Sequence, residues 1–273
     1  MSNDNSSARN RSALFVTIVI PITFVVALLI YNFVLGSGSN FQGGDHNNAP
    51  LPGNYLAIIY SGGPIVPVLM TIDLLVIIFS IERYITIGKS KGNNRLEPFV
   101  RKVKELLSAG DIDAAIAECD VQQGSVANII RSGLHKYKQV EHEHGMEKEG
   151  KLAAIQKELE EATSLELPML SKNLVIISTC ASIATLVGLI GTVIGMIKAF
   201  AALAQAGAPD AVALASGISE ALINTALGIT GSAIAIVMYN YFTTKIDALT
   251  YGIDEAGFSI VQTFSAMHKQ SSK

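Results

Sequence analysis

The sequence predicts an all-α membrane protein. Long transmembrane helices extend into a helical cytoplasmic domain, and an additional transmembrane helix stands at the N-terminus. Three observations carry this expectation. Hydrophobic residues make up 49% of the chain and mean hydropathy is +0.40. Four segments are nearly free of charge: Leu14–Leu35, Tyr55–Ile81, Asn173–Ile197 and Ala211–Phe242. Each exceeds the ~18 apolar residues that cross ~30 Å of hydrocarbon at ~1.5 Å per residue. Between them, apolar residues recur at helical spacing, without strand-like alternation.

In chain order, residues 1–13 are a tail with Arg9 and Arg11, followed by the additional span at 14–35. That apolar run is longer than the ~7–15 residues of a signal-peptide core. "VLGSGSN" offers no convincing cleavage site, so a retained anchor is expected. Residues 36–54 are rich in Gly, Asn and Pro and hold no Lys or Arg, which predicts a periplasmic loop before the span at 55–81. Arg83, Lys89, Lys91 and Arg95 open a basic-rich region, 82–172, predicted to be cytoplasmic. The span at 173–197 then leads through a short periplasmic loop, 198–210, to the span at 211–242. Lys245, Lys269 and Lys273 follow it in a cytoplasmic C-terminal helix, 243–273. Both termini are thus expected in the cytoplasm of a multi-pass inner-membrane protein. Lys198, at the start of the second loop, is the basic residue that does not fit this scheme.

The middle region reads as helices. "LEPFVRKVKELLSAGDIDAAIAECD" has amphipathic spacing, with Gly110 as a stop and Asp111 as the next N-cap. "GSVANIIRSGLHKY" predicts a further helix, and "KLAAIQKELEEATSLELPML" carries strong helix formers towards the third span. Pro168 predicts a kink or restart at that junction.

Polar residues mark one face of each of the last two spans. Side chains three or four residues apart are helical neighbours. In the last span this links Glu220 and Ala221 to Asn224 and Thr225, then to Gly228, Gly231, Ser232 and Ala235. In the third span Ser178, Ser182, Thr185 and Thr192 fall on one line, with Gly188, Gly191 and Gly195 close by. Two readings are open. Small residues let membrane helices approach closely, with hydroxyl bonds adding ~0.6 kcal/mol each. That accounts for the glycines but not for Glu220, since a carboxylate costs ~2.5–3.5 kcal/mol to insert and marks a functional site by default. A proton path would involve Glu220, Thr225 and Thr192, with Asn224, Thr185 and Ser182 as further polar lining. Asp73 is a second intramembrane carboxylate, for which structural and proton-handling roles are equally open.

Other classes find little support. The net charge of −3 and the absence of a basic patch interleaved with aromatics argue against nucleic acid. Cys119 and Cys180 lie in segments of different character, so packing roles are expected for them and no disulfide or zinc site. The His142–Glu143–His144 run reads as a solvated loop, not a metal site. No nucleophile–base pair is visible, and neither an enzyme nor a cofactor is expected.

"TLVGLIGTVIGMIKAF" followed by "GISEALINTALGITGSAIAIVMYNYF" resembles the paired signature helices of the MotA/TolQ/ExbB proton channel family, closest to ExbB and TolQ. The resemblance runs from about Gly62 to Lys245 and includes "IERYI" and "LSAGDIDAAIAECD…GSVANIIRSGL". It implies an inner-membrane channel in which a homopentamer surrounds single-span partners of the ExbD/TolR type. It further implies use of the proton motive force to drive a TonB- or TolA-type transducer. By motif position the family's glutamate falls on Glu220 and its pore threonines on Thr192 and Thr225. The proton-carrying aspartate would belong to the partner, so this chain would supply the pore wall. Two departures are evident: Thr185 stands where the family often has proline, and the first span is additional to the usual three-helix core. A TolQ-like envelope role, a motility stator and a passive membrane scaffold are the alternative readings.

Overall fold

In the computed structural model, residues 2–46, 48–143, 145–204 and 210–270 are described. Nine α-helices account for most of them: α1 Ser2–Leu29, α2 Tyr55–Tyr60, α3 Val66–Lys91, α4 Leu96–Ser108, α5 Ile112–Gln122, α6 Gly124–Glu141, α7 Lys148–Ser171, α8 Leu174–Leu203 and α9 Ala211–Gln270. Among the described residues there is no strand, and an isolated bridge joins Phe41 to Pro50. Four helical stretches, Val16–Leu35, Gly63–Ser108, Lys148–Leu203 and Ala211–Met267, contain windows long and apolar enough to cross a membrane. The protein is therefore an all-α membrane protein. The chain divides into two compact units, Met1–Ser80 with Val175–Tyr239, and Ile81–Leu174 with Asn240–Lys273.

In the first unit the outer faces of the long helices are apolar. Leu186, Leu189 and Val193 of α8 and Leu222, Ile229 and Val237 of α9 are all exposed. Such surfaces are stable against lipid or another apolar face, not against water. The inner faces are small: Gly188 meets Gly228, Gly191 meets Asn224, and Gly195 meets Gly217 and Ala221 closely enough that added methyl groups would collide. Backbone-to-backbone contact of this kind is what glycine permits in membrane helices.

Two boundaries differ from the sequence expectation: α8 runs on to Leu203, past the expected end of its span at 197, and the span at 55–81 is interrupted. Residues 55–81 do not form one continuous helix: α2 ends at Tyr60, a 3₁₀ turn covers Gly63–Ile65, and α3 begins at Val66. Gly63 has φ +75°, a conformation that costs other residues energy, and Pro64 removes a backbone donor. In the 36–54 loop the described part is tied down by asparagines. Asn40 donates to the carbonyls of Val34 (2.7 Å) and Leu35 (3.0 Å), where α1 ends in a π-turn. Asn54 donates to Asn40 at 3.0 Å and accepts from the first amides of α2. Tyr31 stacks on Tyr60 with centroids 4.6 Å apart and donates its hydroxyl to the Tyr60 carbonyl.

The second unit packs α4–α7 with the C-terminal part of α9. Its core includes Phe99, Val103, Leu107, Ile130, Leu134, Ile155, Ile260 and Phe264. Tyr137 meets Phe264 edge-on, with centroids 4.8 Å apart, and both rings are fully buried. Asp111 caps α5 through the Ala114 amide at 3.0 Å, after Gly110 turns with φ +79°. Pro168 lies inside α7 without ending it; the helix stops at Ser171 and α8 restarts at Leu174. Helix ends leave carbonyls without partners. Here Arg83, 3% exposed, donates to the carbonyls of Met169 (3.2 Å) and Leu170 (3.0 Å). Glu82 holds that guanidinium and accepts from Asn173 at 3.0 Å, so "IER" fastens this junction. His144 and Lys273, and residues 205–209 of the second expected loop, lie outside the described residues.

Candidate functional site

The α8–α9 hairpin has one register, and the site follows from it. The alignment that sets Gly188 on Gly228 and Gly195 on Gly217 also brings Thr192 to Thr225 and Lys198 to Glu220. Glycine packing and polar pairing thus use the same two helices but different rows of side chains.

Glu220 is 6% exposed and accepts from Lys198 Nζ with both oxygens, at 2.6 Å and 2.8 Å. A carboxylate in hydrocarbon costs ~2.5–3.5 kcal/mol on insertion scales. An ammonium across both oxygens neutralises it, and removing one member of a buried pair costs ~3–5 kcal/mol. Here the Lys198 side chain is 50% exposed, so solvent screens its side of the pair and the cost falls mainly on Glu220. Gly63 completes the pocket: a Cβ there would stand 2.6 Å from Glu220 Oε1. The broken helix before α3 therefore makes room for the carboxylate. Asn224, one turn along α9, is wholly buried and donates to the Gly62 carbonyl at 2.8 Å. Among the described residues its own Oδ1 has no hydrogen-bond partner.

Thr192 and Thr225 are half-buried, and their hydroxyls hydrogen-bond to each other. Thr192 can also donate to the Gly188 carbonyl and Thr225 to the Ala221 carbonyl, each at 3.1 Å. A hydroxyl has one proton and two acceptor sites, so only one of the pair need turn towards its own helix. The pair retains capacity to bond a water or an incoming proton carrier. Ser182 is exposed and Thr185 half-exposed on α8, on the line that holds Thr192.

Asp73 lies apart from this group, on α3. It abuts α9 at Gly231, where a Cβ would collide with its carboxylate. Among the described residues it has no hydrogen-bond partner.

Three residues at the site were not assigned to it from the sequence. Lys198 was visible as the basic residue out of place, and that anomaly was the available signal for an ion-pair partner. Gly62 and Gly63 offered only an "SGGP" turn signal inside an apolar run. Nothing in the sequence paired that turn with α9.

Among the described residues no group of three His, Cys, Asp or Glu side chains could hold a metal. Outside the spans, Cys119 is buried, and burial together with neighbouring Asp120 pushes its thiol up to about 12. Such a thiol is a packing group at neutral pH, since the thiolate is the reactive form.

Parts of the chain are similar to known proteins. The MotA/TolQ/ExbB proton channel family matches over residues 122–255. The Tol-Pal system protein TolQ of Pseudomonas aeruginosa is 30% identical over 124 residues, covering 45% of this chain and 54% of that protein. The biopolymer transport protein ExbB of Pseudomonas putida is 31% identical over 115 residues, 42% of this chain and 35% of that one. A TolQ of Haemophilus influenzae is 32% identical over 110 residues, 40% and 47% respectively. The matched part of the chain spans between 35% and 54% of the length of these three relatives.

Proposed function

The chain belongs to the MotA/TolQ/ExbB proton channel family, and from that premise we propose that it is the pore-forming subunit of an inner-membrane proton channel or motor. In this reading it uses the proton motive force to energise TonB-dependent outer-membrane transport, as an ExbB-like protein. The carrying observation is a carboxylate held within apolar helices, in register with a threonine pair on the same hairpin. Neither packing nor helix propensity calls for Glu220, and an intramembrane carboxylate is otherwise costly.

Glu220 would receive protons near the outer mouth. Thr225 lies roughly 7.5 Å further along α9 at the helical rise, and with Thr192 would bind water or relay protons. Ser182 and Thr185 would continue the polar lining, whereas the amide of Asn224 is engaged inside the chain. The exposed apolar faces of α8 and α9 fit a homo-oligomer, a pentamer by family analogy, in lipid. A single-span partner of the ExbD/TolR type would occupy its centre and contact a TonB- or TolA-type transducer. The basic middle region, both termini and the Arg83 junction would be cytoplasmic, and the 36–54 loop periplasmic. The energy available is about 2.3 kcal/mol per proton for each 100 mV.

A second reading is a TolQ-like role in the Tol–Pal envelope system, favoured by the two TolQ relatives. A motility stator shares the same hairpin logic. Co-purification of the native complex separates them by the partner that comes with it. The channel itself is tested by proton flux through the reconstituted complex. Glu220→Gln, which keeps the side-chain shape, is expected to assemble at normal abundance and abolish coupled flux. Undiminished flux in that variant would reject the path and leave a passive scaffold.

A further inference from the structure

We propose that Lys198 and Glu220 form a proton-operated latch, in which Lys198 covers Glu220 and is released when Glu220 takes up a proton. The inference rests on Glu220 being part of the proton path. It assigns a gating role to Lys198, a residue which that path does not require.

The geometry is asymmetric. The ammonium bridges both carboxylate oxygens and occupies one acceptor site on each while the pair is closed, leaving a positive charge in front of the group a proton must reach. Glu220 is nearly buried, whereas the Lys198 side chain is half exposed on a flexible stem. If the pair simply parted, the lysine would regain water but the carboxylate would stay buried and charged. Protonating Glu220 removes that obstacle, because a neutral acid can remain buried while the ammonium turns outward.

The surroundings contain no competing cation among the described residues. Tyr31, in the π-turn that follows α1, is stacked on Tyr60 and is an uncharged phenol. Gly63 presents backbone from the 3₁₀ turn, and Asn224 on α9 faces the Gly62 carbonyl. Lys198 of α8 is the cation that faces Glu220. The step balances simply: one proton from the medium bonds to a Glu220 oxygen, two Nζ–H···O contacts break, and Lys198 keeps its own proton. A neutral pair becomes a neutral acid and an exposed positive charge, so each proton arrival places one charge at the mouth. With the latch closed the path is shut, which would limit passive leak.

The test uses the full chain in its purified complex, in proteoliposomes with an imposed potential and an internal pH dye. Lys198→Gln keeps a hydrogen bond to Glu220 without the charge, and Lys198→Met removes both. The latch predicts a several-fold rise in passive proton leak in each, with coupled uptake in cells falling towards background. Lys198→Arg should restore low leak. If Lys198→Met fails to assemble, Lys198→Gln decides, because it retains the contact. Wild-type leak together with wild-type coupled uptake in Lys198→Gln would overturn the latch. So would reduced abundance with unchanged leak per complex, the signature of a merely structural pair. Failure of the wider reading looks different: there, Glu220→Gln would conduct normally whatever the lysine variants do.

Discussion

Replacing Gly228 by alanine should loosen the α8–α9 hairpin and, with it, every polar pair the hairpin aligns. A Cβ at this position would sit 2.6 Å from the Ala184 carbonyl oxygen and 2.9 Å from the Gly188 Cα. Ordinary contact begins near 3.4 Å, a shortfall of about 0.8 Å against backbone, which cannot rotate aside. Two effects compete. Alanine is favoured over glycine within a helix by ~1 kcal/mol. Overpacking costs ~1–3 kcal/mol, and a gap of 0.5–1 Å forfeits a quarter to a half of each dispersion contact along the seam. Because the clash is against backbone, the upper part of that range applies and the seam effect wins, leaving a net loss of ~1–2 kcal/mol or a melting point lower by a few degrees. Gly88→Ala is the control, since nothing lies within 4 Å of its Cβ and helix propensity acts alone. Thermal denaturation of both purified variants in one detergent measures the difference. Gly88→Ala should match or exceed wild type, and Gly228→Ala should fall below it. Equal stability of Gly228→Ala and wild type would refute the close backbone contact, and with it the register that joins Thr192 to Thr225.

Thr192→Val and Thr225→Val keep shape and remove hydroxyls, so complex abundance should hold while proton-coupled activity falls; serine at either position should recover part of it. Full activity in the double valine variant would make both threonines packing residues. For topology, a cysteine at Ser39 in a chain lacking Cys119 and Cys180 should react with an impermeant thiol reagent in spheroplasts, and one at Ser90 should not. The reverse pattern would invert the orientation. Native Cys119 should resist thiol reagents near neutral pH and react once the protein is unfolded. Its thiol is raised from 9.0 to about 12 on folding, and Tyr137 from 10.0 to about 12, chiefly by burial. Folding therefore favours the protonated forms: their contribution is fully present below pH ~9 and declines between ~9 and ~12. A denaturation series over that range should show stability falling as pH rises; a rise would contradict the burial.

Helical class, the four apolar spans and the caps around Asp111 were legible in the chain because they depend on local periodicity and on side chains within a few residues. Pro168 shows the limit of such reading. It marked the α7–α8 junction correctly, but the helix ran on to Ser171, since the end is secured by Arg83, 86 residues away from Met169 in sequence. Glu220, Thr192 and Thr225 could be named from spacing and resemblance, because an intramembrane carboxylate and hydroxyls on one face stand out against an apolar background. The pairing of Glu220 with Lys198 could not be, although both residues were noticed. A charge in a sequence carries no address for its partner, and here the partner is fixed by glycine rows that set how α8 slides along α9. The break at Gly63 is similar: its closeness to Glu220 exists only once α9 has packed beside it. Sequence alone determined which residues are costly in a membrane; tertiary packing decided which of them meet, because register between helices is set by contacts far apart in the chain.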